Sequence, residues 1–338
     1  MKKLYPLKFR PQWMPKAWGG EFWDLCGFAE EASVVSEGFL ADNDLPDILE
    51  TYMGELVGDE LFDWYNLYFP LLIKRLIVEE RLSVQVHPDD TVAAERFDDY
   101  GKTEFWYVLE ADPDARIYMG FKEDCDAATL YKACKEGWAQ DLLNAYAPKP
   151  GDCFFIPTGT VHAACGKLKM SEIQESSDLT FRLYDWGREF NPATRRAIHL
   201  DEALDCINYK KYDEAACSCH LNGLREASGG DAAKASGDSA DNGVRVLVSD
   251  PHFVITSVRL TTPARIRLED FKSCIVLICL EGSFSMEGCS PVTADETLLV
   301  PASLDTVVLT PAAGGAHLLQ VHLPQPPKDD VYEGPEPE

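Results

Sequence analysis

Two stretches, LSVQVHPDD at 82–90 and GDCFFIPTGTVHAA at 151–164, set the tightest limits on how this chain can fold. In the first, Ser83, Gln85 and His87 alternate with Val84 and Val86. A β-strand turns successive side chains to opposite faces, so the polar trio is expected on one face and the valines on the other. In the second, Gly151, Pro157 and Gly159 punctuate a strand, turn and strand that put His162 at a strand start. Between them, GKTEFWYVLE (101–110) carries Glu104 into an aromatic-rich strand. Gln85, His87, Glu104 and His162 then supply two nitrogens and two oxygens, a set suited to a divalent ion such as zinc. Each has a plainer reading when taken singly: His87 as a core histidine, Gln85 as a strand hydrogen-bonding group, Glu104 as the ion-pair partner of Lys102. Their combination in this chain order favours the metal.

At these residues the chain resembles known families. The pattern G-x5-P-x-G-x2-H at 151–162 resembles the second motif of the cupin β-barrels. Gln85 and His87 with Glu104 resemble the first cupin motif, in the variant where glutamine replaces the first histidine. More narrowly, FPLLIKRLIVEERLSVQVHPDD (69–90), GKTEFWYVLEADPDARIYMGF (101–121) and EIQESSDLTFRLYDWGR (172–188) are similar to the type I mannose-6-phosphate isomerases, in their short bacterial form. The likeness runs from YPLKFRPQWMPKAWGG (5–20) to about Arg195. Two departures stand out. Gly166 occupies the place where an asparagine often follows the histidine of the second cupin motif, and only the short segment 126–146 stands for the long helical insertion of the eukaryotic isomerases.

The fold expected is mainly β: a cupin-type β-barrel (jelly roll) with a few peripheral helices, plus a second, smaller β-rich cupin-like domain. The catalytic domain is assigned to 1–224, with a helical segment at about 122–146. A Gly/Ala/Ser/Asp-rich flexible linker follows at 225–243, then a C-terminal domain without metal ligands at 244–325 and a disordered tail at 326–338. Along the chain, a short strand is expected at Glu30–Ser36, and the stripe LPDILETYMGELVG (45–58) reads as one helix begun near Asp44 and stopped at Gly58. One or two helices at 126–146 are expected on the outside of the barrel. Strands are expected at 167–177 and 179–186, the latter with Thr180, Arg182 and Tyr184 on a polar face and Phe181 and Leu183 on an apolar one. A helix is expected at 199–208, and about seven short strands after 243, TVVLT (306–310) and AHLLQVHL (316–323) among them.

A chain of 338 residues has ample core for two domains, and 46% hydrophobic with 26% charged residues is an ordinary globular balance. The formal net charge of −26 argues against nucleic acid as a partner and requires any anionic substrate to meet a locally basic pocket. No apolar run is long enough to span a bilayer, and MKKLYPLKFRPQW has no apolar core of a signal peptide, so neither membrane nor export is expected. Eleven cysteines, odd in number and without framework spacing, read as reduced thiols in a cytoplasmic protein. Cys217-Ser-Cys219-His220 lacks a second ligand pair and is taken as incidental.

The resemblance implies one Zn²⁺ per chain and the reversible conversion of mannose 6-phosphate to fructose 6-phosphate, by proton transfer between C1 and C2 through an enediol(ate). It assigns the catalytic arginine to Arg182, where planar donors suit an oxyanion or phosphate. Glu172 and Lys102 are the candidate proton carriers, with a metal-bound water as a third. Ser83, Lys102 and Arg182 form the candidate substrate-binding set. Arg188 and Lys122 are further cations within reach of a phosphate or simply solvated. The expected partner is a small-molecule sugar phosphate, met by a monomer or homodimer. The competing readings are a non-catalytic cupin that binds a sugar or sugar phosphate, and an iron-dependent cupin oxygenase, whose metal shell is usually richer in histidine.

Overall fold

The computed structural model describes residues 2–213 and 242–326. It is mainly β, and the chain divides into two compact units that interleave in sequence. Residues 13–23 and 71–213 form one; residues 2–12, 24–70 and 242–326 form the other.

In the first unit two antiparallel sheets supply the frame. One orders the strands Phe181–Tyr184, Val84–Val86, His162–Cys165, Arg116–Phe121 and Leu143–Tyr146. The other orders Gln12–Lys16, Gly19–Leu25, Leu71–Val78, Leu168–Glu175, Glu104–Ala111 and Cys153–Ile156. Their apolar residues form one buried cluster that draws on both sheets, Leu76, Trp106 and Met170 from the larger and Ile117, Met119 and Ala164 from the smaller. The opposite face of the smaller sheet is covered by helices. Val84, Val86 and Ala163 pack there with Leu130, Ala133 and Cys134 of the helix Ala127–Glu136 and with Ala203 of the helix Leu200–Cys206. The alternation read at 83–87 therefore holds: the valines lie under helices, and Ser83, Gln85 and His87 turn away from them.

The segment 126–146 departs from the helical expectation at its end. The helix Ala127–Glu136 is capped by Asp126 and closed by Gly137 at φ 81°, and Leu143–Tyr146 then joins the smaller sheet as an edge strand. The strand at 181–184 also departs. A register shift between Arg182 and Tyr184 breaks the alternation, so Tyr184 joins Phe181 and Leu183 in the core instead of sharing the face of Arg182.

The second unit centres on a sheet ordered Leu7–Lys8, Thr297–Val300, Ile275–Ser285, Thr306–His322, Val254–Leu260 and Gly243–Ser249. The two apolar runs 306–310 and 316–323, expected as separate strands, are one long strand. The stripe 45–58 is not one helix but two, Leu45–Tyr52 and Gly54–Val57, broken at Met53 (φ 49°); a third, Asp59–Tyr65, follows Gly58. Gly58 itself has φ 109°, and a Cβ there would stand 2.3 Å from Lys272 O, so the chain turns where only glycine fits. Backbone bonds from Ala302 N to Leu56 O (2.9 Å) and from Cys274 N to Val57 O (3.0 Å) bind these helices to the C-terminal strands. Residues 24–70 thus pack with the C-terminal unit, whereas the sequence division had placed them with the catalytic one. At Glu30–Ser36 only isolated bridges form, Val35 with Phe9 and Val34 with Asp44. Of the linker assigned to 225–243 and the tail assigned to 326–338, residues 225–241 and 327–338 lie outside the described residues, as does the Cys217–His220 cluster, while Gly243 already begins the strand Gly243–Ser249. Among the described residues no helix is long and apolar enough to cross a membrane, and the nine cysteines are free thiols.

Candidate metal centre and active site

The site is built on the inward faces of the first unit. Gln85 pairs with His162 on one neighbouring strand and with Arg182 on the other, so three polar side chains share one rung. Glu104 opens its own strand in the facing sheet, opposite Gln174. Gly159 fixes the turn before His162. Its N–H donates to His87 O at 2.9 Å and its carbonyl accepts from Asn208 N at 2.9 Å, with φ 78°. A Cβ there would meet Cys206 O at 2.8 Å. Gly166, the departure from the cupin pattern, has φ 84° and lies against Ala115, so the turn that carries the chain from the strand of His162 to the strand Leu168–Glu175 of the other sheet requires glycine.

His87 Nδ1 lies 2.8 Å from Leu179 O, and His162 Nδ1 lies 2.8 Å from Thr160 O. A carbonyl only accepts, so each Nδ1 carries the proton and each Nε2 presents a lone pair. Those lone pairs face Glu104 Oε1, at 3.5 Å from His87 and 3.0 Å from His162, and the carboxylate oxygens have no hydrogen-bond donor. All three side chains are buried. Burial, with the Lys102 charge, pushes His87 down to about 4, so its imidazole is neutral at neutral pH. Three donors facing one another without a shared proton fit a cation, which resolves their mutual repulsion. Gln85 Nε2 lies 3.2 Å from His162 Nε2 and 3.5 Å from His87 Nε2, and Ser83 Oγ donates to Gln85 Oε1 at 2.9 Å. A half-turn of this amide brings its oxygen to the shared point, and the Ser83 hydroxyl, able to donate or accept, holds either orientation.

Beside these residues lies a cleft lined by Gln85, Lys102, Glu172 and Arg182 from the expected set, and by Thr180. It is also lined by Lys16, Glu21, Lys74, Asp178 and Arg196, none of which the sequence reading singled out. Glu172 is buried; its Oε1 accepts from Trp106 Nε1 at 3.1 Å and its Oε2 lies 3.8 Å from Lys74 Nζ. Burial and the Glu104 charge push its carboxyl up to about 8, against the pull of Lys74 and Lys102. Lys102 Nζ is 3.5 Å from Glu104 Oε2. Arg182 is half-buried with an unpartnered Nε, and Asp185 bonds Arg188 and Arg196 instead of it. Lys122 donates to Asp141 O, and Arg188 to Asp185 and Arg81 O, so neither serves the cleft. Ser83 is buried with its hydroxyl proton on Gln85.

Residues 11–116 match the family described as phosphomannose isomerase type I, catalytic domain. A mannose-6-phosphate isomerase of Streptococcus mutans is 34% identical over 198 residues, 59% of this chain and 61% of that protein. Mannose-6-phosphate isomerase ManA of Bacillus subtilis is 32% identical over 229 residues, 62% of this chain and 70% of that protein. The chain belongs to the type I mannose-6-phosphate isomerase family. The matched segment spans less than two thirds of the Streptococcus relative and somewhat more of the Bacillus one. A crystal structure of the mannose 6-phosphate isomerase from Bacillus subtilis superposes with a TM-score of 0.78 at 23% identity, covering 95% of this chain and all of that one. It shares the fold over both units. In this type I family member the buried lysine Lys74 was the legible signal missed. It interrupts the apolar run LLIKRLIV, where a lysine stays buried only if paired, and it lies within 4 Å of Glu21, Glu172 and Asp178.

Proposed function

We propose that this chain is a zinc-dependent aldose–ketose isomerase that interconverts mannose 6-phosphate and fructose 6-phosphate. The observation that carries the reading is the meeting of His87 Nε2, His162 Nε2 and Glu104 Oε1 without a proton among them. Gln85, His87, Glu104 and His162 would hold the ion, whose borderline-soft preference for imidazole and oxygen suits this set. When bound, it would supply Lewis-acid stabilisation of negative charge on the substrate's oxygens.

The chain's own groups supply the rest. Glu172 is the proton carrier of this reading: it takes the proton from C2 and returns it to C1, while a proton passes from O2 to O1. Its carboxyl is held by the Trp106 indole and sits in the cleft wall, and Lys102 is already committed to Glu104. Arg182 sets a fixed positive charge on the same rung as Gln85, where the enediolate oxygens develop. Lys102 orients the sugar, and Ser83 acts on it through Gln85. Enclosure of these groups keeps water from quenching the carbanion-like intermediate.

The test is a coupled assay of mannose 6-phosphate turnover on metal-analysed protein, before and after chelation and zinc return. Turnover lost on chelation, restored by zinc and abolished in Glu172→Gln supports the reading. A folded, zinc-loaded protein that binds the sugar phosphate without turnover would make the chain a binding module.

A further inference from the structure

We propose that Arg196 is the residue that grips the phosphate of the substrate, an assignment that rests on the sugar-phosphate reading above and adds the far end of the site to it. The charges in the cleft sort by partner. Every lysine there has a carboxylate in the same cleft or at the metal end: Lys16 with Glu21 at 3.5 Å, Lys74 with Glu21 at 3.6 Å, Lys102 with Glu104 at 3.5 Å. The arginines differ. No carboxylate lies within ion-pair distance of Arg182 among the described residues. Arg196 gives its Nε (3.0 Å) and Nη2 (2.6 Å) to Asp185, which is wholly buried and does not line the cleft.

That fork fixes the plane of the Arg196 guanidinium and leaves Nη1 without a protein partner among the described residues. Arg188 holds the same carboxylate from another side, at 2.6 Å. Asp185 stands three residues beyond Arg182, just past the end of the strand Phe181–Tyr184, so Arg196 is anchored beyond the strand end and not on the rung of Gln85. With C1 and C2 of a six-carbon sugar at the ligand end, its phosphate is carried toward these arginines. A dianion recognised by planar, pre-oriented donors is what this end of the cleft is built to take.

The experiment measures KM and kcat of the zinc-loaded protein for mannose 6-phosphate and unphosphorylated mannose in wild type, Arg196→Met, Arg196→Lys and Arg188→Met. Inorganic phosphate is titrated against the unfolding temperature of each. Arg196→Met is expected to raise KM for mannose 6-phosphate roughly ten- to a hundredfold, with kcat nearly kept, activity on mannose unchanged and phosphate stabilisation lost. Arg196→Lys falls between, because it keeps the charge and loses the fork. Arg188→Met, which breaks the same Asp185 cluster away from the cleft, keeps the preference for the phosphorylated sugar. An equal loss on both sugars, the same loss in Arg188→Met, or phosphate binding that survives Arg196→Met overturns the assignment. Phosphate binding that depends on Arg196 in a protein that turns over neither sugar leaves the assignment standing and removes the isomerase.

Discussion

Gln85 stands directly opposite His162 in the antiparallel pairing of their strands, and opposite Arg182 on its other side. A candidate metal ligand from each of the two sequence motifs, and the candidate electrostatic catalyst, therefore hang from one rung of one sheet. Moving any of these strands by one residue would turn its member of the trio to the helix-covered face.

Loss of His162 should empty the centre. His162→Ala removes one of the two imidazoles, and we expect metal content, measured by atomic emission, to fall from about one ion per chain to a small fraction of that. Full occupancy in a folded His162→Ala protein would refute the ligand set.

The ion should also stabilise the fold. Zinc at about 100 times its Kd raises the unfolding free energy by about 2.7 kcal/mol if it binds only the folded chain. Denaturant titrations of chelated and zinc-returned protein measure this, and Glu104→Gln should remove most of the difference.

Ser83 should act on the metal and not on the fold. Ser83→Ala frees the Gln85 amide, and metal affinity is expected to fall about tenfold or more, as for other supports of metal ligands. Competition with a coloured chelator gives the number; an unchanged affinity would mean Gln85 needs no support or is not a ligand.

Lys74 should be costly to remove at neutral pH and less so in acid. Burial penalises the Glu21 carboxylate, yet Lys74, Lys16 and the Trp23 indole outweigh it and hold Glu21 below its ordinary value near 4.5. A depressed carboxylate pKa contributes stability above its unfolded value, and that contribution is lost as pH falls through the folded one. Lys74→Met strands buried carboxylates, so we expect a loss of about 3–5 kcal/mol near pH 7. The deficit against wild type should shrink as the pH falls below about 4.5. Urea unfolding at several pH values tests this, and a deficit independent of pH would place the cost in packing instead.

How much was legible follows from what kind of information each feature needs. Ser83, Gln85 and His87 could be read because strand alternation is local, and Gly159 with His162 because a turn is local. Lys102 and Glu104 share a face for the same reason. Tyr184 misled because a register shift is set by the partner strand, not by its own neighbours. Arg196 carried no signal at all: it lies in a polar loop, and only the fold brings it beside Arg182. Residues 24–70 were placed with the wrong neighbours because their partners, such as Ala302 and Cys274, lie more than two hundred positions away.

That last pairing bears on synthesis. Strand Leu7–Lys8 hydrogen-bonds to Thr297–Val300, while every strand around His87 and His162 lies before residue 185. On the ribosome, the half with the candidate metal centre has all its strands long before the other half can complete its sheet. Leu7 and Lys8 emerge early and must wait, with their edge exposed, for nearly three hundred residues to be translated. Any pause or truncation before residue 297 would leave that edge open, and the resulting nascent chains would be the species that chaperones meet.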